Sequence, residues 1–252
     1  MLVCKVRCGN KEAIIRIQRP SFDVCKKAYE KISKLDNIDG SKMTESRNRL
    51  YDALIKNRLS KEQMAKYTEK LNKYIPPEIR YFNVGGGAYQ QFINDWDTYY
   101  NTCALRISYA LNQTNIPIKS MTNQLIGRNY TGDDKQLYYL GVLDIVDLLN
   151  KNWKKLTWQK PTFNQVKQKI KCGCSEDFYK NMTTKADNET FLSELQSLQI
   201  KGIIAMIGTN GLRHTTLWDT DNFVDVNIGI SENYLEETAD YIIKECYFWD
   251  MK

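Results

Sequence analysis

Apolar residues recur three or four positions apart through much of the first half of this chain, the spacing of one face of a helix; from residue 201 they gather into near-continuous runs instead. Phe22, Cys25, Tyr29 and Ile32 follow the first pattern behind Ser21, which predicts a capped helix ending before Asp36-Asn37-Ile38-Asp39-Gly40. A second helical stretch runs from Glu45 to about Arg58. A third opens at Ser60-Lys61-Glu62-Gln63, a capping-box pattern, and carries Met64, Tyr67, Leu71 and Tyr74 on one side until Pro76-Pro77 stops it. Together these two predict a helical hairpin at about 41–75, rich in Lys and Asn outside and inserted against the main body.

Beyond Gly85-Gly86-Gly87, Asn101 or Thr102 can cap a helix whose Ala104, Ile107, Ser108 and Leu111 share a face, with Cys103 in its first turn and Asn115-Ile116-Pro117 at its end. After Asp133 and Asp134, a stretch through Leu143, Val146, Leu149 and Trp153 reads as helical. So does Pro161 to Ile170, with Phe163, Val166 and Ile170 on one side. The polar region from Ser175 to Gln199 is mostly helical in pattern around Phe191, Leu195 and Leu198.

Residues 201–208 then read as a buried strand, 209–211 as a turn, and 212–218 as a strand returning beside it. Asp219-Thr220-Asp221-Asn222 turns into a further strand from Phe223 to Ile228. With Trp218 opposite Phe223, Thr216 faces Asp225 and His214 faces Asn227, and Asp225 becomes the diagonal neighbour of His214. The predicted fold class is α+β, a helical part packed on a small antiparallel sheet.

Composition bounds this picture. With 42% hydrophobic and 12% aromatic residues, the 252 residues can build one substantial core. No run approaches the roughly 18 apolar residues of a membrane span, and Met1-Leu2-Val3-Cys4-Lys5 does not open a secretory signal. The net charge of +6 is spread among interspersed acids and bases, with a basic excess between Lys5 and Lys73. No tract forms a phosphate-tracking groove, so nucleic acid is not an expected partner. Seven cysteines, an odd number, leave at least one unpaired within the monomer, so a disulfide framework is a poor account of all seven, and Cys172-Gly173-Cys174 is too tight for a zinc knuckle.

The chemistry narrows further because His214 is the one histidine. A multi-histidine metal centre is excluded, and neither metal nor cofactor is expected; pairing of the imidazole with a thiol is not excluded. A cysteine at a helix start meets unpaired amides and the positive end of the helix dipole, which favour thiolate. Cys103 is therefore the candidate nucleophile, His214 the base, and Asp225 or Asn227 the group that orients the imidazole. Each has a plainer role available: a small buried filler for Cys103, a core histidine for His214. Thr216 and Trp218 read as packing or wall residues. The three glycines lack the G-x-G-x-x-G and Walker spacings and read as a tight turn beside the site, where substrate backbone could approach closely.

Five segments resemble the Tae4 family of type VI secretion amidase effectors, papain-like peptidoglycan hydrolases related to the NlpC/P60 group: Arg19-Pro20-Ser21-Phe22; Val84-Gly85-Gly86; the run from Asn101-Thr102-Cys103-Ala104 to Asn112; His214-Thr215-Thr216-Leu217-Trp218-Asp219; and the ending Cys246-Tyr247-Phe248-Trp249-Asp250. The resemblance implies a papain-like domain over residues 1–252 that cuts the amide between the γ-carboxyl of D-glutamate and meso-diaminopimelate in Gram-negative peptide stems. It implies Cys103 as nucleophile, His214 as base and Asp225, eleven residues on, as orienter. It also implies a cognate immunity protein, passage through the type VI secretion machinery, and a path from the producer's cytoplasm into a rival's periplasm without a signal peptide.

This chain departs from the family pattern in three ways. Arg213 stands where the family usually has Gly, the hairpin at 41–75 exceeds the compact pattern, and no cysteine lies between His214 and Asp225. The same residues also suit a papain-like protease or transamidase acting on protein, and a non-catalytic binding module is the remaining alternative.

Overall fold

The computed structural model describes residues 2–9, 11–17, 19–34, 40–57, 59–121, 123–124, 127–153, 165–169, 175–180 and 182–251. An antiparallel hairpin, β1 (Leu2–Cys8) and β2 (Lys11–Ile17), comes first. Helix α1 (Phe22–Ser33) buries Phe22, Cys25, Tyr29 and Ile32, the four positions of its periodicity; Ser21 is the N-cap by position, but its hydroxyl makes no capping bond.

Three helices follow: α2 (Gly40–Lys56), α3 (Lys61–Glu69) and α4 (Leu71–Val84). The Ser60–Gln63 capping box is present at the start of α3. Yet α3 has no fully buried residue, only Met64 and Tyr67 half-buried against the helical cluster, and α2 packs more extensively on α4. Arg49 on α2 clamps the buried Glu78 of α4 through two bonds, at 2.6 and 2.8 Å. Contrary to expectation, Pro76 and Pro77 do not end a helix; they lie inside α4, and the break falls earlier, at Lys70. The carbonyls those prolines leave without a helical donor belong to Asn72 and Lys73, both exposed residues, so water can satisfy them.

Gly85 separates α4 from α5 (Gly86–Asn94), which α6 (Trp96–Tyr99) follows. Gly86 has φ +56°, and a Cβ there would lie 2.4 Å from the Thr131 carbonyl oxygen. Glycine at this place lets the turn press against residues 131–132. Helix α7 (Cys103–Asn112) buries every residue except Tyr109. Its polar residues pin what comes next. The Ser108 hydroxyl accepts from the Tyr139 amide and donates to the Tyr139 carbonyl, both at 3.0 Å, and Asn112 Nδ2 donates to the Leu137 carbonyl at 2.8 Å. The short strands β3 (Tyr130–Thr131) and β4 (Leu137–Tyr138) and helix α8 (Val142–Asn152) complete this half.

The second half supplies β5 (Gln165–Lys169), β6 (Ser175–Lys180), α9 (Lys185–Ser197), β7 (Lys201–Gly208), β8 (Arg213–Asp219), β9 (Asn222–Phe223), the helical turn α10 (Val224–Asn227) and β10 (Ile243–Asp250). The six strands form one antiparallel sheet in the order β5-β6-β10-β7-β8-β9. Two helical expectations fail here. Residues 165–169 pair as an edge strand, and 175–180 are a strand ahead of α9. Both segments are polar, and neither shows the strict alternation that would betray a strand. Phe163, Ile170, Cys172 and Cys174 lie outside the described residues.

The fold is α+β, with helices packed on an antiparallel sheet. Strand β7 is continuously apolar because both its faces are covered. Ile203 and Ala205 join Leu217, Leu111 and Leu148 on one side, while Ile204 and Met206 join Trp218, Phe191 and Leu195 on the other. A third apolar cluster, including Leu54, Tyr74, Tyr81, Phe92 and Trp96, holds the helices α2, α4, α5 and α6 together. Arg19 hydrogen-bonds the carboxylate and carbonyl of Asp250, tying the chain ahead of α1 to the end of β10.

Candidate active site

Helix α7 packs against β8, bringing Cys103 at its first turn together with His214 near the start of the strand. The Cys103 thiol faces His214 and the backbone of Thr215, and both favour its thiolate. On the other side of the imidazole, Nε2 lies 2.8 Å from Asp225 Oδ2, which leaves Nδ1 for the sulfur. Cys103, His214 and Asp225 are at most 3% exposed.

Asp225 reaches His214 by a route the sequence did not suggest. Trp218 does pair with Phe223, but β9 stops there and residues 224–227 form the turn α10 rather than a continuing strand. The turn carries Asp225 inward beneath the imidazole and leaves Asn227 exposed. Between the two candidate orienters, only Asp225 meets the ring.

Burying a carboxylate is costly unless its oxygens are satisfied, and those of Asp225 are satisfied from three sides. Tyr29 donates to Oδ1 at 2.7 Å, Arg106 donates to Oδ1 at 2.7 Å and to Oδ2 at 3.4 Å, and His214 meets Oδ2. The Tyr29 hydroxyl also lies 3.1 Å from Thr216 Oγ1, which gives that wall residue a polar part. Sequence reading missed Tyr29 and Arg106. Tyr29 was hidden in an apolar stripe, although Arg106, the one charged residue of α7 and one turn from Cys103, was a usable signal.

The electrostatics separate this thiol from the others. Burial alone pushes Cys25 up to about 12 and raises Cys246 as well. Burial also acts against the Cys103 thiolate, but the hydrogen bond and charge of His214, the charge of Arg106 and the Thr215 backbone outweigh it and hold the thiol below its ordinary value. His214 is correspondingly lifted to about 9: burial opposes its charged form, and Asp225 and Cys103 overcome that. Asp225 is held well below the carboxylate range, its burial outweighed by Arg106 and His214. The shifts move Cys103 towards thiolate and His214 towards imidazolium. This is a Cys-His-Asp arrangement consistent with a cysteine hydrolase.

Two clefts of about 480 Å³ each flank the pair and share Asn101 and Arg213. One is lined by Cys103 with Tyr99, Tyr130 and Leu140, the other by His214 with Arg80, Arg106 and Tyr234. The Tyr234 ring lies over the imidazole, with centroids 4.7 Å apart. The Cys103 amide donates to Asn101 Oδ1 at 3.1 Å, so the backbone donor nearest the sulfur is already engaged. Gly85, Gly86 and Gly87 line neither cleft; they serve packing rather than substrate approach. Among the described residues, no group of three His, Cys, Asp or Glu side chains could hold a metal ion, and no helix is long and apolar enough to cross a membrane.

No protein-family model and no curated protein matches the chain. Two solved structures are similar to it. One is the crystal structure of the type VI effector-immunity complex Tae4-Tai4 from Salmonella Typhimurium, at 18% identity and TM-score 0.47; the other is a structure of the effector-immunity system Tae4/Tai4 from the same organism, at 20% and 0.45. Each comparison covers 93% of this chain and 100% of the matched chain.

Proposed function

We propose that this protein is a cysteine amidase that hydrolyses the γ-D-glutamyl–meso-diaminopimelate bond of peptidoglycan peptide stems. The observation that carries the hydrolase reading is that, of the three buried thiols among the described residues, Cys103 alone faces a histidine that a buried aspartate orients, and is lowered rather than raised. Support for the substrate comes from the sequence resemblance. The segment from Asn101 to Asn112 and the segment from His214 to Asp219 lie far apart in the chain and meet at this thiol.

In the proposed reaction the Cys103 thiolate adds to the scissile carbonyl, and the His214 imidazolium delivers its proton to the departing amine as the C–N bond breaks. Water, deprotonated by the now neutral imidazole, attacks the thioester and releases the acid, restoring thiolate and imidazolium. Asp225 keeps the ring in one orientation and balances its charge. The substrate oxygen displaces Asn101 Oδ1 from the Cys103 amide, which then serves as an oxyanion donor of the kind worth about 2.7 to 4 kcal/mol.

The proposal extends to delivery. The 252 residues act as one amidase unit bearing the additional helices of 41–75. The unit is held in the producer's cytoplasm, injected by type VI secretion machinery into a target periplasm, and blocked in kin cells by an immunity protein that covers the clefts. Mass spectrometry of purified muropeptides before and after incubation tests the reading. New fragments ending in γ-D-glutamate and beginning with diaminopimelate support it. Intact muropeptides beside a cleaved protein substrate would replace it with a protease.

A further inference from the structure

Among the described residues, the cleft beside His214 is lined by three arginines, Arg80, Arg106 and Arg213, and by no Asp or Glu. Arg106 is neutralised by Asp225. No described carboxylate pairs with Arg80: its guanidinium donates to the Ile32 carbonyl at 3.2 Å, the Ser33 carbonyl at 3.0 Å and Thr102 Oγ1 at 3.3 Å, all uncharged acceptors. Those bonds engage three of its five N–H groups and fix its plane, leaving one N–H on each terminal nitrogen. Burial and the nearby charge of Arg106 lower it to about 10, so it remains a cation at neutral pH. Whether the proton of the Cys103–His214 pair sits on sulfur or nitrogen, the group formed by Arg80, Arg106, His214, Asp225 and Cys103 carries one surplus positive charge. A partly buried, uncompensated cation held rigid at the edge of a cleft is the feature a fixed anion complements.

We propose that this cleft is a carboxylate subsite in which Arg80 anchors a free carboxylate of the substrate next to the scissile amide, making Arg80 the specificity-determining residue of the site. The choice of substrate rests on the amidase reading above. In a γ-linked D-glutamyl residue the α-carboxylate is free and stands three carbons from the scissile carbonyl. An ordinary α-linked peptide with neutral side chains presents no anion there. Diaminopimelate carries the other candidate carboxylate, on the leaving side.

Calorimetry on the full chain bearing Cys103→Ala tests the subsite without turnover, using three synthetic stems: one with γ-D-glutamate and diaminopimelate, one with the glutamate α-carboxylate amidated, and one with lysine in place of diaminopimelate. The α-amide should bind about tenfold or more weakly than the acid, because a charge-assisted bond is lost. That advantage should shrink with salt and vanish in Arg80→Gln, while Arg80→Lys retains part of it. An equal loss with the lysine stem instead assigns the anchored group to diaminopimelate. Equal binding of all three by the chain with native Arg80, or an undiminished preference in a folded Arg80→Gln chain, overturns the subsite. Hydrolysis of muropeptides without such discrimination sinks the subsite and spares the amidase. Carboxylate-dependent binding with no hydrolysis by the native chain does the reverse.

Discussion

Arg106 Nη1 lies 2.7 Å from Asp225 Oδ1 in an ion pair whose aspartate is wholly buried. The pair is the foundation of the candidate site, because the same carboxylate holds His214 from its other oxygen. Removing one partner leaves a buried charge uncompensated, so Arg106→Leu should destabilise the protein by about 3–5 kcal/mol, read from denaturant midpoints. A change below about 1 kcal/mol would contradict the assignment.

The Tyr29 hydroxyl is the most delicate support of that carboxylate. Tyr29→Phe removes one donor to Asp225 without changing the shape of α1, and should cost about 1.5–3 kcal/mol of stability, the range for a hydrogen bond to a charged group. Because Arg106 and His214 remain in place, hydrolysis should fall without vanishing. Steady-state kinetics alongside thermal unfolding separates the two effects.

Asp225→Asn should lower kcat by more than tenfold, since it removes the charge that supports imidazolium. Asn227→Ala should leave kcat unchanged and stability within about 0.5 kcal/mol, as expected of an exposed position. A reversal of that order in kinetic assays would make Asn227 the orienter.

The site also dictates a pH profile. His214 is lifted from 6.5 to about 9, so the stabilisation from its pairing is fully present below pH 6.5 and is lost as pH rises through about 9. Asp225 is shifted the other way from 3.8; its contribution is present above that value and is lost on acidification towards its lower folded pKa. Activity against muropeptides should therefore be maintained from neutral pH and decline on the alkaline side near 9, where the proton needed by the leaving amine is lost. An alkaline limb near 6.5 would show that His214 is not lifted.

How much of this was legible in the sequence differs from element to element. The stripe of α1, the Ser60 capping box, the helix start at Cys103 and the β7–β8 pair all announced themselves, because local periodicity and caps follow the chain. Strand β10 did not: it enters the middle of the sheet between β6 and β7, and its partners lie far away in sequence. Asp225 was correctly paired with His214 through an incorrect strand, since a turn that bends inward and a strand that runs on share the same Trp218–Phe223 pairing. The roles of Tyr29 and Arg80 depend on three-dimensional neighbours, and no spacing rule reveals them.

The central claim is that Cys103 is a poised thiolate. Timed alkylation of the native protein with iodoacetamide at pH 7, followed by peptide mass spectrometry, measures it against Cys25 and Cys246, which are equally buried and serve as internal controls. The expected result is selective modification of Cys103, slowed about tenfold or more in His214→Gln, with Cys25 and Cys246 unmodified until the protein unfolds. Modification of Cys103 no faster than the two controls, or unchanged by loss of His214, would contradict the account.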